Sequence, residues 1–184
     1  FALTNTQGTI STGTVVKFDS NGGYVGSTSS THGVDLIVDE DHQVVWTVGK
    51  SLTRAAMDLS NEQHLYSFVW SAVSLDLDAN GGIWAAERHH PQVAGSVDRL
   101  VHFDVNGNII NGDTLPLPGS PASVRVDRSS GLVWLAMWNA GVAYRDVNGQ
   151  LKTVPGLAGS WFAVEPDPLD SSRAWAADFT TGQV

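Results

Sequence analysis

The sequence predicts an all-β chain, a β-propeller of four-stranded antiparallel blades with about four blade lengths present. Three observations carry that prediction. A tryptophan closes a short apolar run four times, at Val44-Val45-Trp46, Gly82-Ile83-Trp84, Leu132-Val133-Trp134 and Arg173-Ala174-Trp175; Asp39, Asp78, Asp127 and Asp167 precede them by six to eight positions. A second element, Asp-x-Asn-Gly, recurs between them at 19–22, 104–107 and 146–149, with a worn copy at 58–61. The third is the period: successive tryptophans stand 38, 50 and 41 residues apart and successive copies of the second element 39, 46 and 42. A four-stranded blade is about 40–45 residues long.

Some helical repeats share this period, so the content of the unit decides. Ser123-Val124-Arg125-Val126-Asp127 alternates apolar and polar, as a half-buried strand does, and Leu132-Val133-Trp134-Leu135-Ala136 is a short apolar run suited to a buried strand. Asp-x-Asn-Gly between apolar residues is a hairpin signal, because Asn and Gly accept the positive φ of tight turns. With 19 Gly and 7 Pro and no sustained 3.6-residue pattern, a helical array does not fit. Each unit then reads as strand A, a turn, the Trp-bearing strand B, a variable loop, strand C, the Asp-x-Asn-Gly turn and strand D.

In chain order, residues 1–30 are a partial blade that opens on the B-like Phe1-Ala2-Leu3-Thr4 and continues into a C–D hairpin with strand C at 15–18. Blades follow at 31–69, 70–118 and 119–157, and 158–184 is again partial. Strand A is expected at 34–38, 73–77, 122–126 and 161–164; strand C at 100–103 and 142–144, with a less clear copy at 54–57. The four repeated tryptophans are expected to pack between neighbouring blades. Because the chain starts and stops inside a blade, it reads as one partial propeller domain over 1–184, a piece of a six- to eight-bladed parent.

Composition narrows the function classes. Ten basic residues against 19 acidic give a formal net charge of −9, and no basic stripe exists, so nucleic acid is not an expected partner. No 18-residue apolar stretch is present, so the chain is not expected to span a membrane. The absence of cysteine removes disulfides, thiolate metal sites and a Cys nucleophile. Neither Gly-x-Ser-x-Gly nor His-Glu-x-x-His occurs, and Gly49-Lys50-Ser51 lacks the upstream glycine of a phosphate loop.

The segments VDRSSGLVWLA, RAWAADFTTGQV and GTVVKFDSNGGYVGS resemble the repeats of bacterial NHL-type and streptogramin-lyase-like propellers. The resemblance covers nearly the whole chain, mostly at scaffold positions. It implies blades around a central channel, an extracytoplasmic (periplasmic or secreted) setting, and functional residues at one channel mouth. It implies no single activity, since such propellers include lyases, lactonases and partner-binding arrays.

The segments after strand B therefore become the place to look: Gly49-Lys50-Ser51, Glu87-Arg88-His89-His90-Pro91, Met137-Trp138-Asn139 and Asp178-Phe179-Thr180. They differ where scaffold positions agree. Glu87, His89 and His90 form the richest constellation, a carboxylate with two imidazoles, and the lyase resemblance adds a catalytic His and Mg2+-binding acids. Asp178 aligns with Glu87, and His32 and Asp35 flank the start of a strand A. With Glu87 and His89 they make a candidate mixed N/O shell for Mg2+ or Ca2+. Arg88, His90, Trp138 and Asn139 are candidate binding residues at the mouth, and Trp70 and Trp161 lie near strand A entries. His42, His64 and His102 are expected at the surface or rim.

The expected function is a non-enzymatic NHL-like propeller that binds a protein partner or small ligand at one mouth. The alternatives are a metal-dependent lyase or hydrolase using His89 and Glu87, and a carbohydrate-binding propeller using Trp138.

Overall fold

The structure, a computed structural model, describes residues 2–5, 13–30, 33–89 and 92–178. Those residues form five antiparallel sheets and no helix, hence none long and apolar enough to cross a membrane. The first sheet has three strands, β1 (Ala2–Asn5), β2 (Gly13–Phe18) and β3 (Tyr24–Ser30). Three complete four-stranded meanders follow. They are β4 (Asp35–Asp39) to β7 (Gln63–Ser67) by way of β5 (Val44–Val48) and β6 (Ser51–Ala56), and β8 (Ser71–Leu77) to β11 (Leu115–Pro116) by way of β9 (Ile83–Arg88) and β10 (Arg99–Phe103). The third is β12 (Ser120–Asp127), β13 (Leu132–Trp138), β14 (Gly141–Arg145) and β15 (Leu151–Thr153). The last described sheet is the pair β16 (Trp161–Pro166) and β17 (Ala174–Asp178).

This is the propeller architecture the repeats predict. The one displaced strand is β6, expected at 54–57 and found at Ser51–Ala56. The worn turn explains the shift. Leu59 and Asn61 take positive φ (68° and 54°), and the hairpin closes at Ala56, where Leu59 N–H donates to its carbonyl at 2.8 Å. The intact Asp-x-Asn-Gly turns behave alike. In each, the Asp Oδ1 accepts N–H groups two and four residues on, and the Gly, at φ 81° or 82°, donates to the Asp carbonyl.

Three of the four repeated tryptophans fill the slots between sheets. Trp46, Trp84 and Trp134 are 0%, 3% and 6% exposed, and each joins apolar side chains of its own sheet to those of the next. Trp46 and Trp134 leave their buried Nε1 without a hydrogen bond, so what they supply is apolar volume. Each carries a planar side chain from the facing position on the third strand. Arg54 lies 5.5 Å from the Trp46 ring, His102 stacks on Trp84 at 3.9 Å, and Tyr144 lies 5.1 Å from Trp134. Trp175 lies in the last described sheet, β16 and β17, and is 60% exposed among the described residues.

The first strands β4, β8, β12 and β16 lie side by side, each an edge of its own sheet. An edge strand leaves alternate N–H groups unpaired, and here side chains of the preceding sheet take them. Asp35 Oδ2 accepts Leu75 N–H at 3.2 Å and Ser74 Oγ–H at 3.1 Å. Ser74 Oγ accepts Val124 N–H at 3.2 Å, and Asp76 Oδ2 accepts Val126 N–H at 2.8 Å. Asp76 Oδ1 also takes Leu77 N–H. Burial pushes the Asp76 carboxyl up, and these backbone donors pull part of the way back.

Asp76→Ala leaves two buried backbone donors without an acceptor. It should cost about 1–3 kcal/mol, read as a lowered denaturant midpoint, whereas Asp76→Asn keeps one carbonyl acceptor and should cost less.

Candidate functional site

The strand B ends, strand A starts and strand C starts meet at one end of the sheets, as the pairings Ser71↔Arg88, Arg99↔Glu87, Ser120↔Trp138 and Trp161↔Asp178 show. Of the residues singled out from the sequence, Trp70, Glu87, Arg88, His89, Trp138, Asn139, Trp161 and Asp178 belong to this end. His32 and His90 lie outside the described residues.

Glu87 is 1% exposed, and both its oxygens are engaged. Oε1 accepts Val69 N–H at 2.7 Å, and Oε2 meets Arg99 Nε at 2.5 Å. Arg99 also donates to Tyr66 Oη at 3.0 Å. Burial works against the Arg99 charge, and Glu87 with Tyr66 more than restores it. Glu87 thus anchors the entry to β8 on the start of β10. Arg99 is its cross-strand neighbour, a partner hidden in the sequence because the B–C connection between them is long.

His89 is oriented rather than buried. Asp98, at the far end of the same connection, accepts its backbone N–H at 2.9 Å on Oδ1 and faces its Nδ1 at 3.2 Å with Oδ2. The His89 side chain remains 45% exposed. With Nδ1 facing a carboxylate, the imidazole is held in one orientation while its other face stays open to solvent. Arg88 donates from Nε to the Pro121 carbonyl at 3.0 Å and so clamps β9 to the next blade; burial lowers its pKa, offset in part by Asp98.

Trp138 meets Phe162 edge to face at 6.2 Å, and Asn139, at φ 62°, accepts from Ser160 Oγ at 3.2 Å. Phe162 is the extra residue of a β-bulge between Trp161 and Ala163; Val73 and Ala122 hold the same place in β8 and β12. A bulge re-aims its side chain, and Phe162 is 55% exposed. Val34, Val69, Trp70, Val93 and Val97 are also exposed at this end, while Trp161 is buried. Asp178 is half-buried at the end of β17 opposite Trp161.

Among the described residues no group of three or more His, Asp or Glu side chains is arranged to hold a metal. Both Glu87 oxygens are taken by Arg99 and Val69, and His32, another member of the candidate shell, lies outside the described residues.

The opposite end carries a charged network that the sequence placed at the rim. His102 is 9% exposed, with Nε2 2.8 Å from Asp78 Oδ2 and Nδ1 2.9 Å from Asp113 Oδ2. Each ring nitrogen thus faces one carboxylate, which fixes the ring between the two connections. Asp113 also binds Arg145 Nη2 at 2.5 Å, and the Arg145 guanidinium lies 4.8 Å from the Trp84 ring, tying β14 to the preceding sheet. The available signal was positional: His102 and Tyr144 each stand two residues before an Asp-x-Asn-Gly turn, facing a repeated Trp.

No family model matches the chain, and no curated protein matches it. Among solved structures it is similar to a functionally unknown protein from Desulfotomaculum acetoxidans DSM 771, with TM-score 0.68, 14% identity, and coverage of 90% of this chain and 55% of that one. It is also similar to a chain of a nidogen/laminin complex, with TM-score 0.67, 14% identity, and coverage of 92% and 65%. The chain thus spans between about half and two thirds of these proteins' lengths, and at this identity the likeness is one of fold.

Arg99→Ala strands the buried Glu87 charge and should cost about 3–5 kcal/mol, read as a lowered denaturant midpoint, whereas replacing both partners by apolar residues should cost less. Acid should loosen the other end. Burial opposes ionisation of Asp78 and Asp113, yet the His102 contact, with Arg145 at Asp113 and backbone donors at Asp78, outweighs it and lowers both pKa values. A depressed carboxylate contributes stability above its unfolded pKa and loses it as pH falls through the folded value, so the loss falls below about pH 4. Thermal melts across that range should drop for the wild type and drop less steeply for Asp113→Asn, which starts lower at neutral pH.

Proposed function

We propose that the chain is an NHL-like propeller module of extracytoplasmic bacterial proteins that binds a protein partner at the end bearing Trp70, Trp138 and Phe162. The observation that carries the reading is the set of exposed apolar side chains beside the strand A starts. Val34, Val69, Trp70, Val93, Val97 and Phe162 are each 39% to 55% exposed and belong to this end. Exposed aromatics beside apolar side chains are the usual anchors of protein interfaces. Phe18, Tyr24, Val25, Ile109, Val147 and Leu169 are exposed toward the turn end, but there they sit on hairpins closed by Asp-initiated turns. A propeller-like neighbour solved in a nidogen/laminin complex supports a binding role for such an architecture. The NHL assignment and the compartment rest on the sequence resemblance.

A second reading has one specific observation in its favour, the Asp98-oriented and exposed His89. It makes the same end the seat of a lyase or hydrolase with His89 as base.

One experiment separates the two. Partner capture from secreted and periplasmic fractions is compared for the wild type, Trp70→Ala/Phe162→Ala, and a control changed at the opposite end, Asn106→Ser. Under the binding reading the double variant should lose the captured protein while its melt stays near that of the wild type, and the control should retain it. Equal capture by all three sinks the reading. Turnover of lactones or cyclic depsipeptides, with and without Mg2+, is assayed on wild type and His89→Ala. Activity lost only in His89→Ala would establish the enzymatic reading instead.

A further inference from the structure

Asn-Gly, the dipeptide most open to succinimide chemistry, occurs five times, with its Asn at positions 21, 80, 106, 111 and 148. Four copies share one backbone setting. Gly22, Gly81, Gly107 and Gly149 are the last residues of turns begun by Asp19, Asp78, Asp104 and Asp146, and each donates its N–H to that Asp carbonyl, at 3.1, 3.4, 2.9 and 2.9 Å. Asn111 is placed differently. It is the second residue of a turn that Asp113 N–H closes on the Ile110 carbonyl at 3.2 Å, which makes Gly112 the third. Gly112 has φ 87°, as the third residue of a type II turn requires, and in that turn its N–H faces away from the ring. No hydrogen bond is formed by Gly112 N–H among the described residues, both Asn111 and Gly112 are exposed, and nothing lies within 4 Å of a Cβ position at Gly112.

We infer that Asn111 is the site of spontaneous deamidation in the folded chain. The Gly112 backbone nitrogen loses its proton and attacks Asn111 Cγ; a C–N bond forms, the Cγ–Nδ2 bond breaks, and ammonia leaves with the proton. The resulting succinimide is opened by water at either carbonyl, giving aspartate or isoaspartate at position 111. No oxidant or cofactor takes part. At the other four sites the attacking nitrogen is engaged as a donor, and its turn must open before the ring can close.

The position gives the reaction a consequence. Asp113 holds both His102 and Arg145, and the Ile110–Asp113 turn aims it. Deamidation places a new carboxylate two residues away, and isoaspartate adds a backbone atom inside that turn. The modified chain therefore carries a weakened clamp between two blades, a slow covalent clock set by the turn type.

The purified chain, incubated at mildly alkaline pH and mapped by peptide mass, tests this. The peptide containing Asn111 should gain one mass unit at least about tenfold faster than those containing Asn21, Asn80, Asn106 or Asn148, since a tenfold factor corresponds to about 1.4 kcal/mol, the scale of one protecting hydrogen bond. In denaturant the five rates should converge. Asn111→Gln should remove the leading event, and aged wild type should melt below fresh wild type while aged Asn111→Gln does not. Equal rates in the folded chain, or a different leading site, would overturn the assignment; an unchanged melt at full conversion would overturn its effect on the clamp.

Discussion

The propeller depends on an edge problem solved by side chains. Every blade begins on a strand whose inner edge has no backbone partner, and β4, β8, β12 and β16 bring four such edges together. Water or a partner chain would otherwise satisfy the unpaired N–H groups. Asp35, Ser74 and Asp76 do it for β8 and β12 from the preceding blade, and in doing so they fix the height of those two blades against their neighbours. Only with that height fixed does each indole meet its slot. Trp46, Trp84 and Trp134 are then buried by the following sheet, and the planar side chain facing each one completes the layer.

The two ends of the blades spend their polar groups differently. At the turn end, Asp19, Asp58, Asp78, Asp104, Asp127, Asp146, Asp167 and Asp170 each accept a backbone N–H two residues on. Much of the acidic excess is thus absorbed by local backbone needs, and a cluster of such acids says little about cations. At the other end the connections are unlike one another, tight between β5 and β6 and between β13 and β14 but long between β9 and β10, so nothing periodic constrains them. That freedom leaves valines and aromatic rings exposed there.

The fold was legible because period and turn chemistry report the same strands. Trp46, Trp84 and Trp134, with Asp19, Asp104 and Asp146, place most of the elements to within a few residues. The misplaced strand, β6, runs into the one degraded turn, where Leu59 and Asn61 take positive φ without being glycine. The site was legible as a location and not as a set of roles. Glu87 looked like a ligand because nothing in the spacing reveals Arg99 across a twelve-residue separation. His102 looked peripheral because its carboxylates, Asp78 and Asp113, come from two different connections. Charge pairs closed by long loops leave no periodic trace, whereas strands do.

This difference decides how far Glu87 and His89 should be read together. They stand two residues apart, a spacing that would share one face of a continuing strand, but β9 ends at Arg88 and their partners show two separate duties. Glu87 turns inward to Arg99 and the Val69 amide; His89 leaves the strand and is held by Asp98, which closes the connection on itself. The Glu87–Arg99 pair is a support of the end that carries the apolar rings, since it pins Val69 and with it the entry to Trp70 and β8. His89 is the group whose imidazole is both oriented and open to solvent. Glu87 therefore bears on this end through the backbone it holds, whereas His89 presents an oriented side chain to solvent.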